Sequence, residues 1–276
     1  ILVMTVGFGL LTLVTVLTYT NAPPVPERVT APDGSTLFTR ENVEHGQEIF
    51  LKYGLMEHGS LWGHGAYLGP DYSAEYLHRL AEIARETLAL ERHGKPYTAL
   101  APDAAAAVAA GVSGLLKENR YDAATGTLRF SPAEASAWRI QGAEWAAYFS
   151  GPTPAPGLPA QYIRDPRDLA DLNSYFAWAA WATVANRPGK DYSYTNNWPY
   201  EPLVGNRPSA STYLWSALSL VTLLGGLGAL LFAFGRFDFL GWHGPSGVGH
   251  EHESLLARWT LTPSQKAVGL YFGVVA

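Results

Sequence analysis

The sequence contains no cysteine and only two methionines, Met4 and Met56. Disulfides, zinc–thiolate sites, iron–sulfur clusters and thioether-linked haem are therefore chemically excluded in this chain, although the absence says nothing about compartment. A basic surplus is missing too. The 19 Lys and Arg face 24 Asp and Glu, a net charge of −5, so no positive excess exists for the phosphate neutralisation that nucleic-acid binding requires. Nucleic acid is not an expected partner. Charge is wholly absent from Ile1–Pro26 and from Pro208–Gly235. Outside these stretches, Arg236, Arg258 and Lys266 balance Asp238, Glu251 and Glu253, which leaves the entire net charge on the segment between them.

The uncharged stretches are the first informative presence. A bilayer-spanning helix needs about 20 predominantly apolar residues, because hydrocarbon offers the backbone no hydrogen-bond partner. Ile1–Tyr19 and Thr212–Phe234 meet that demand, and the lipid bilayer is the implied partner. The first could be read as a cleaved signal peptide, but its apolar run exceeds the about 7–15 residues of a signal h-region, and no small-x-small site precedes Pro23 and Pro24. It is taken as a retained span. Tyr213, Trp215 and Trp242 bracket the second run with the amphipathic rings found at water–lipid boundaries. Residues 1–21 and 209–235 are thus expected as transmembrane helices, and 22–208 as the domain between them. A cytoplasmic connection is expected at 236–262. Thr262-Pro263-Ser264-Gln265 has the form of a helix start, so 263–276 is expected to begin a third span of a longer polytopic protein. Long translocated domains escape the positive-inside count, and an extracytoplasmic placement of 22–208 is preferred.

The middle domain reads as mainly helical. Pro23–Leu37 is extended with a turn at Asp33-Gly34, and helices are expected at Glu41–Tyr53, Ser73–Glu91, Asp103–Glu118, Ala133–Tyr148 and Arg167–Ala185. Ser131-Pro132-Ala133-Glu134 is a capping box, and Asp165-Pro166 starts the helix after the Pro/Gly-rich linker Gly151–Pro159. Leu172–Asn186 is uncharged yet too short to span, so it is either a core helix or one lying against a membrane-embedded part. The aromatic loop Tyr192–Tyr200 reads as a boundary loop at headgroup depth.

Few residues announce chemistry. His45, His58 and His64 lie with Glu48 and Glu57 within twenty residues, a composition able to ligate a divalent metal, but no pair has the i, i+4 spacing of metal-binding helices. Surface or hydrogen-bonded histidines are the simpler reading. His243, His250 and His252 form a second group in a Gly-rich setting. No G-x-S-x-G or phosphate-cradling glycine motif occurs, and Gly63-His64-Gly65 reads as a tight turn.

Gly46-Gln47-Glu48-Ile49-Phe50 opens a helix, and Gly63-His64-Gly65-Ala66-Tyr67-Leu68-Gly69-Pro70 follows. This order resembles the cytochrome c subunit of nitric-oxide reductases, in which a glycine-led helix runs into C-x-x-C-H and then G-x-G-A-Y-x-x-P. Superimposing the second motif puts Leu55, Met56, Glu57, His58 and Gly59 on the five haem-attachment positions. Both thiols and the axial imidazole are replaced, so no haem c can be attached. A haem-less cytochrome c-like domain between membrane helices is similar to the single-chain, quinol-dependent nitric-oxide reductases of the haem–copper oxidase superfamily.

That resemblance implies a bacterial inner-membrane oxidoreductase reducing two NO to N2O and water with quinol electrons. It further implies haem b, haem b3 and non-haem iron on later helices, so no catalytic residue is expected within 1–276, which would anchor and cap the catalytic part and be inactive alone. In the related two-subunit enzymes a calcium ion is held partly by carbonyls of the G-A-Y stretch, which makes Gly65 and Tyr67 the candidate metal residues. A homodimer is left open. A membrane-anchored sensor or ligand-binding module and a non-catalytic accessory subunit are the alternatives.

Overall fold

The computed structural model describes residues 2–237, divided into two compact units at Tyr213–Leu214. The remainder of the expected connection, the expected third span and the histidines at 243, 250 and 252 lie outside the described residues. The first unit begins with α1 (Leu2–Thr20), whose apolar side chains, such as Leu10, Leu13 and Leu17, are exposed. The second unit holds most of α7 (Ala210–Phe237). Within α7, Ala210–Ala233 is 24 residues long with a mean hydropathy of 2.0, long and apolar enough to cross a membrane. In α1 the corresponding described stretch, Met4–Thr20, is shorter.

Between these helices, β1 (Arg28–Thr30) and β2 (Thr36–Thr39) form a hairpin over the expected Asp33-Gly34 turn, where Asp33 Oδ1 accepts from Ser35 N at 2.9 Å. Then follow α2 (Arg40–Lys52), β3 (Ser60–Leu61), β4 (His64–Gly65), α3 (Tyr72–His93) and α4 (Pro102–Lys117). β5 (Tyr121–Asp122), β6 (Thr127–Arg129), α5 (Pro132–Ser150) and α6 (Pro166–Val184) complete the domain. The five expected helices are all present, each displaced by at most two residues at an end. A four-stranded sheet of order β2-β1-β6-β5 was not expected: β1 pairs in parallel with β6, 99 residues away, a partnership that local periodicity cannot announce.

Helix starts follow the cap chemistry. Ser131 N donates to Glu134 Oε2 at 2.7 Å while Ser131 Oγ accepts from Glu134 N at 3.3 Å, a reciprocal capping box. Asp165 accepts from Arg167 N at 2.9 Å ahead of Pro166.

α6 is the core helix of the domain, which settles the two readings of Leu172–Asn186. From Asp168 to Val184 every residue except Ala170 is buried, against α2, α3 and α5. A helix buried on all sides lies at the centre of its packing, and its polar residues there, such as Asp171 and Asn173, are hydrogen-bonded. Its closest neighbour is α2, and Gly46 is the contact that allows the approach. A Cβ at position 46 would lie 2.2 Å from the Asp171 carbonyl oxygen and 2.7 Å from Tyr175 Cβ. Four residues on, Phe50 meets Tyr175 and Phe176 at centroid distances of 5.7 and 6.2 Å.

Gly46→Ala is therefore expected to lower stability by about 1–3 kcal/mol through overpacking of backbone on backbone. A denaturant titration followed by tryptophan fluorescence checks this; an unchanged midpoint would show that α2 and α6 can separate without penalty.

Candidate functional site

The segment carrying the resemblance, Leu55–Tyr72, folds as a 3₁₀ turn at Leu55–Glu57 followed by the β3–β4 hairpin and a return to α3. The tight turn falls on Trp62-Gly63, one residue earlier than expected. Both have positive φ, 53° and 78°, the pairing that two-residue hairpins favour, and His64-Gly65 continues into β4. Trp62 Nε1 donates to the Ala179 carbonyl at 3.1 Å, which pins the hairpin to α6.

Asp71 organises the loop. Its Oδ1 accepts from Ser73 Oγ at 2.6 Å and Ala74 N at 2.9 Å, capping α3. Its Oδ2 accepts from Ser60 Oγ at 2.7 Å and Gly63 N at 2.8 Å, holding the hairpin in place. One carboxylate thus satisfies four donors.

The five attachment positions do not form a haem site. Leu55 is buried in the core, Met56 and Glu57 are exposed, and His58 is turned inward, 2% exposed, with Nε2 2.8 Å from the Tyr148 hydroxyl. Its Nδ1 has no hydrogen-bond partner. Burial drives the imidazole pKa below its ordinary value, so the ring is neutral over a wider pH range. At position 59, where an axial ligand would project, no side chain fits: a Cβ would lie 2.3 Å from the Pro70 carbonyl and 2.8 Å from the Tyr72 ring. Gly69 and Gly157 leave room for the His58 ring from two other sides.

Aromatic side chains occupy the interior behind this motif. Tyr72 and Phe176 stack at 4.7 Å with planes 5° apart. Trp145 meets Phe176 at 5.2 Å and Tyr72 at 5.6 Å, and Phe149 lies 6.0 Å from Tyr72. Burial pushes the Tyr72 phenol far above its usual pKa, leaving a neutral, unpartnered hydroxyl in the core. The donor set and the filled space agree that this domain does not accommodate haem c.

The remaining sequence candidates do not converge. His45 Nδ1 lies 2.6 Å from Asp171 Oδ2, whose companion oxygen accepts from Asn42 Nδ2 at 2.7 Å, whereas His64, Glu48 and Glu57 are exposed. Among the described residues no three His, Asp or Glu form a group able to hold a metal. Gly65 has φ 140° and packs so that a Cβ would meet the Gly59 carbonyl at 2.3 Å, while the Tyr67 side chain is 87% exposed. Two carbonyl-bearing residues fall well short of the about 6–8 oxygens calcium takes, so any calcium here draws most of its ligands from elsewhere. The aromatic loop also differs in part from its expected role. Tyr194 packs on Trp181 at 5.5 Å and its hydroxyl accepts from Asn119 Nδ2 at 3.1 Å, so it closes the domain rather than only facing headgroups.

Residues 26–200 match the family model for the NorB cytochrome c-like domain of nitric oxide reductase. The chain belongs to the NorB family of nitric oxide reductases. It is a membrane protein of mostly helical architecture with a cytochrome c-like domain, and the match favours a reductase over a sensor module. A comparison with curated proteins gives no match.

The tyrosine partner of His58 and the aromatic filling had no sequence signal. Tyr148 is 90 residues from His58, and only the abundance of aromatics, with nine Trp in the chain, hinted at a core built from rings.

Two consequences can be measured. Restoring the motif through Leu55→Cys, His58→Cys and Gly59→His, in cells competent for cytochrome c maturation, is expected to yield no covalent haem by haemochrome spectroscopy. Gly59→Ala alone is expected to cost about 1–3 kcal/mol. Haem incorporation by the triple variant would show that the aromatic interior yields. For His58, the lowered folded-state pKa means that the unfolded chain binds the proton first as pH falls below 6.5, so stability declines from there downward. His58→Gln removes this share, and its unfolding midpoint should fall less than that of the parent between about pH 7 and pH 5. An equal or larger fall contradicts neutral burial.

Proposed function

We propose that this chain is the N-terminal portion of a quinol-dependent, single-chain nitric-oxide reductase of the bacterial inner membrane. The observation that carries the reading is a cytochrome c-like domain, matched over residues 26–200, that has no thiol for haem attachment, with Leu55 and His58 buried and position 59 closed to any side chain. An aqueous electron donor needs a relay haem to reach a membrane-embedded acceptor. Quinol is dissolved in the bilayer and can deliver electrons to a membrane haem directly, which makes the relay dispensable.

On this reading α1 and α7 both span the membrane, residues 22–208 are extracytoplasmic, and the domain anchors and caps the catalytic part. Two NO, two electrons and two protons give N2O and water, and one quinol oxidised to quinone supplies the electrons. Haem b, haem b3 and non-haem iron reside on helices outside residues 1–276, and those groups supply the redox chemistry. This chain's contribution is mechanical. Gly65 and Tyr67, exposed on and just after the Asp71-braced hairpin, would supply through their carbonyls a minority of the ligands of a calcium ion shared with the catalytic part. Met56, Tyr67 and Leu68 are exposed beside them, apolar surface suited to that contact.

The full-length protein, purified in detergent, should show b-type and no c-type haem in its visible spectrum and should consume NO when supplied with a quinol. Residues 1–276 alone should show no turnover. A preparation without haem, or one reduced only by a soluble cytochrome, would end the reading.

A further inference from the structure

A second built feature lies where α1 meets the domain. The sequence Arg187-Pro188-Gly189-Lys190 forms a turn closed by Lys190 N donating to the Arg187 carbonyl at 3.0 Å, with Gly189 at φ 71°. Proline followed by a positive-φ glycine is the composition of a type II turn. Arg187 N then bonds the Tyr192 carbonyl at 2.9 Å, and Asn186 pairs with Ser193, so the segment is a short hairpin with Lys190 in its exposed tip.

The guanidinium of Arg187 is held in place from three sides. Nη1 donates to Asn21 Oδ1 at 3.0 Å, Nη2 to the Tyr194 carbonyl at 2.7 Å, and Nε to the Ser193 carbonyl at 3.3 Å. It also sits 5.4 Å from the ring centroid of Tyr194 and 6.0 Å from that of Tyr192. All three acceptors are neutral, and two of the five guanidinium N–H groups are left over. Among the described residues neither Arg187 nor Lys190 has a carboxylate within ion-pair distance. The loop's one acid, Asp191, forms no ion pair with either of them, and its charge also favours the charged form of Lys117. These groups line a cavity of about 230 Å³ whose floor is the end of α1, Thr20, Asn21 and Ala22.

The carbonyl end of a helix ordinarily repels an anion. Here three of the last five carbonyls are engaged by residues at the helix end: Leu17 O by Asn21 N and Nδ2, Val16 O by Thr20 Oγ1, and Tyr19 O by Ala22 N. Apolar exposure along α1 runs to Leu17 and Tyr19 and stops there, so the cavity begins where hydrocarbon gives way to headgroups. A fixed, uncompensated cation with spare N–H donors, a second cation on a turn and a tyrosine at that depth together form the chemistry that receives a phosphate.

We propose that the cavity between the end of α1 and the Arg187–Tyr192 hairpin binds the phosphate group of an anionic phospholipid headgroup. This rests on the reading that α1 spans the membrane. The headgroup phosphodiester accepts from Arg187 and Lys190, while the acyl chains lie along the exposed apolar side of α1.

The test uses the full chain in detergent mixed with equal amounts of phosphatidylglycerol and phosphatidylcholine, with retained lipid read by native mass spectrometry. Phosphatidylglycerol should be retained preferentially, and Lys190→Gln, at an exposed tip that holds no structural side-chain contact, should lower that retention about fivefold, with Arg187→Gln lowering it further. Equal retention of the two lipids, or no effect of Lys190→Gln, overturns the proposal. Displacement of phosphatidylglycerol by millimolar inorganic phosphate would make free phosphate the ligand and overturn the lipid source. The spanning reading is checked separately through Val14→Cys, the sole thiol in the chain, with a membrane-impermeant maleimide on proteoliposomes. A labelled thiol removes α1 from the bilayer and the proposal with it; a protected thiol without phosphatidylglycerol preference removes only the lipid site.

Discussion

The close crossing of α2 over α6 at Gly46 is the constraint on which the rest of the domain depends. With no Cβ between them, the α2 backbone reaches the Asp171 carbonyl, and that approach aligns Phe50 with Tyr175 and Phe176. It also brings Asn42 and His45 to the buried Asp171 carboxylate, so the same turn of α6 offers its main chain to the glycine and its side chain to two polar partners. A carboxylate buried without such partners would be costly; here hydrogen bonds offset its desolvation. The crossing fixes where α2 ends, and so where the Leu55–Gly59 positions stand relative to Tyr72 and Trp145.

What this crossing encloses is an interior built largely from aromatic rings. A void left in such a space would carry a cost that grows with its volume. The stacked pair Tyr72–Phe176 and the rings of Trp145 and Phe149 fill it with planar groups. The filling is imperfect in polarity. Tyr72 Oη, Trp145 Nε1 and His58 Nδ1 are all buried without partners, polar atoms that an apolar core of the same shape would not carry.

Helices were legible in the sequence because their evidence is local. Ser131–Glu134 and Asp165-Pro166 mark starts within four residues, and the uncharged character of Leu172–Asn186 narrowed α6 to two settings before any contact was known. The β1–β6 pairing, the Tyr148 hydroxyl on His58 and the reach of Trp62 to Ala179 join residues about a hundred apart and had no local mark. The site divided along the same line. That haem c could not be attached followed from composition alone, since thioether bonds need thiols. That position 59 could not carry any side chain required the Pro70 carbonyl and the Tyr72 ring to be placed beside it.

The tie between α1 and the domain follows from the same economy of polar groups. Pro23, Pro24 and Pro26 stiffen the exit from the helix and remove backbone donors, leaving carbonyls that need partners if they are covered. The domain supplies them: Trp178 Nε1 donates to Pro24 O at 3.0 Å, and Arg40 Nη2 to Val25 O at 2.7 Å while pairing with Glu27. Arg187 adds Asn21. Donors from three separate elements, α6, α2 and the Arg187 hairpin, thus grip the stretch from Asn21 to Val25, and a segment gripped in this way cannot act as a free linker. The direction in which α1 leaves the domain is set by these contacts.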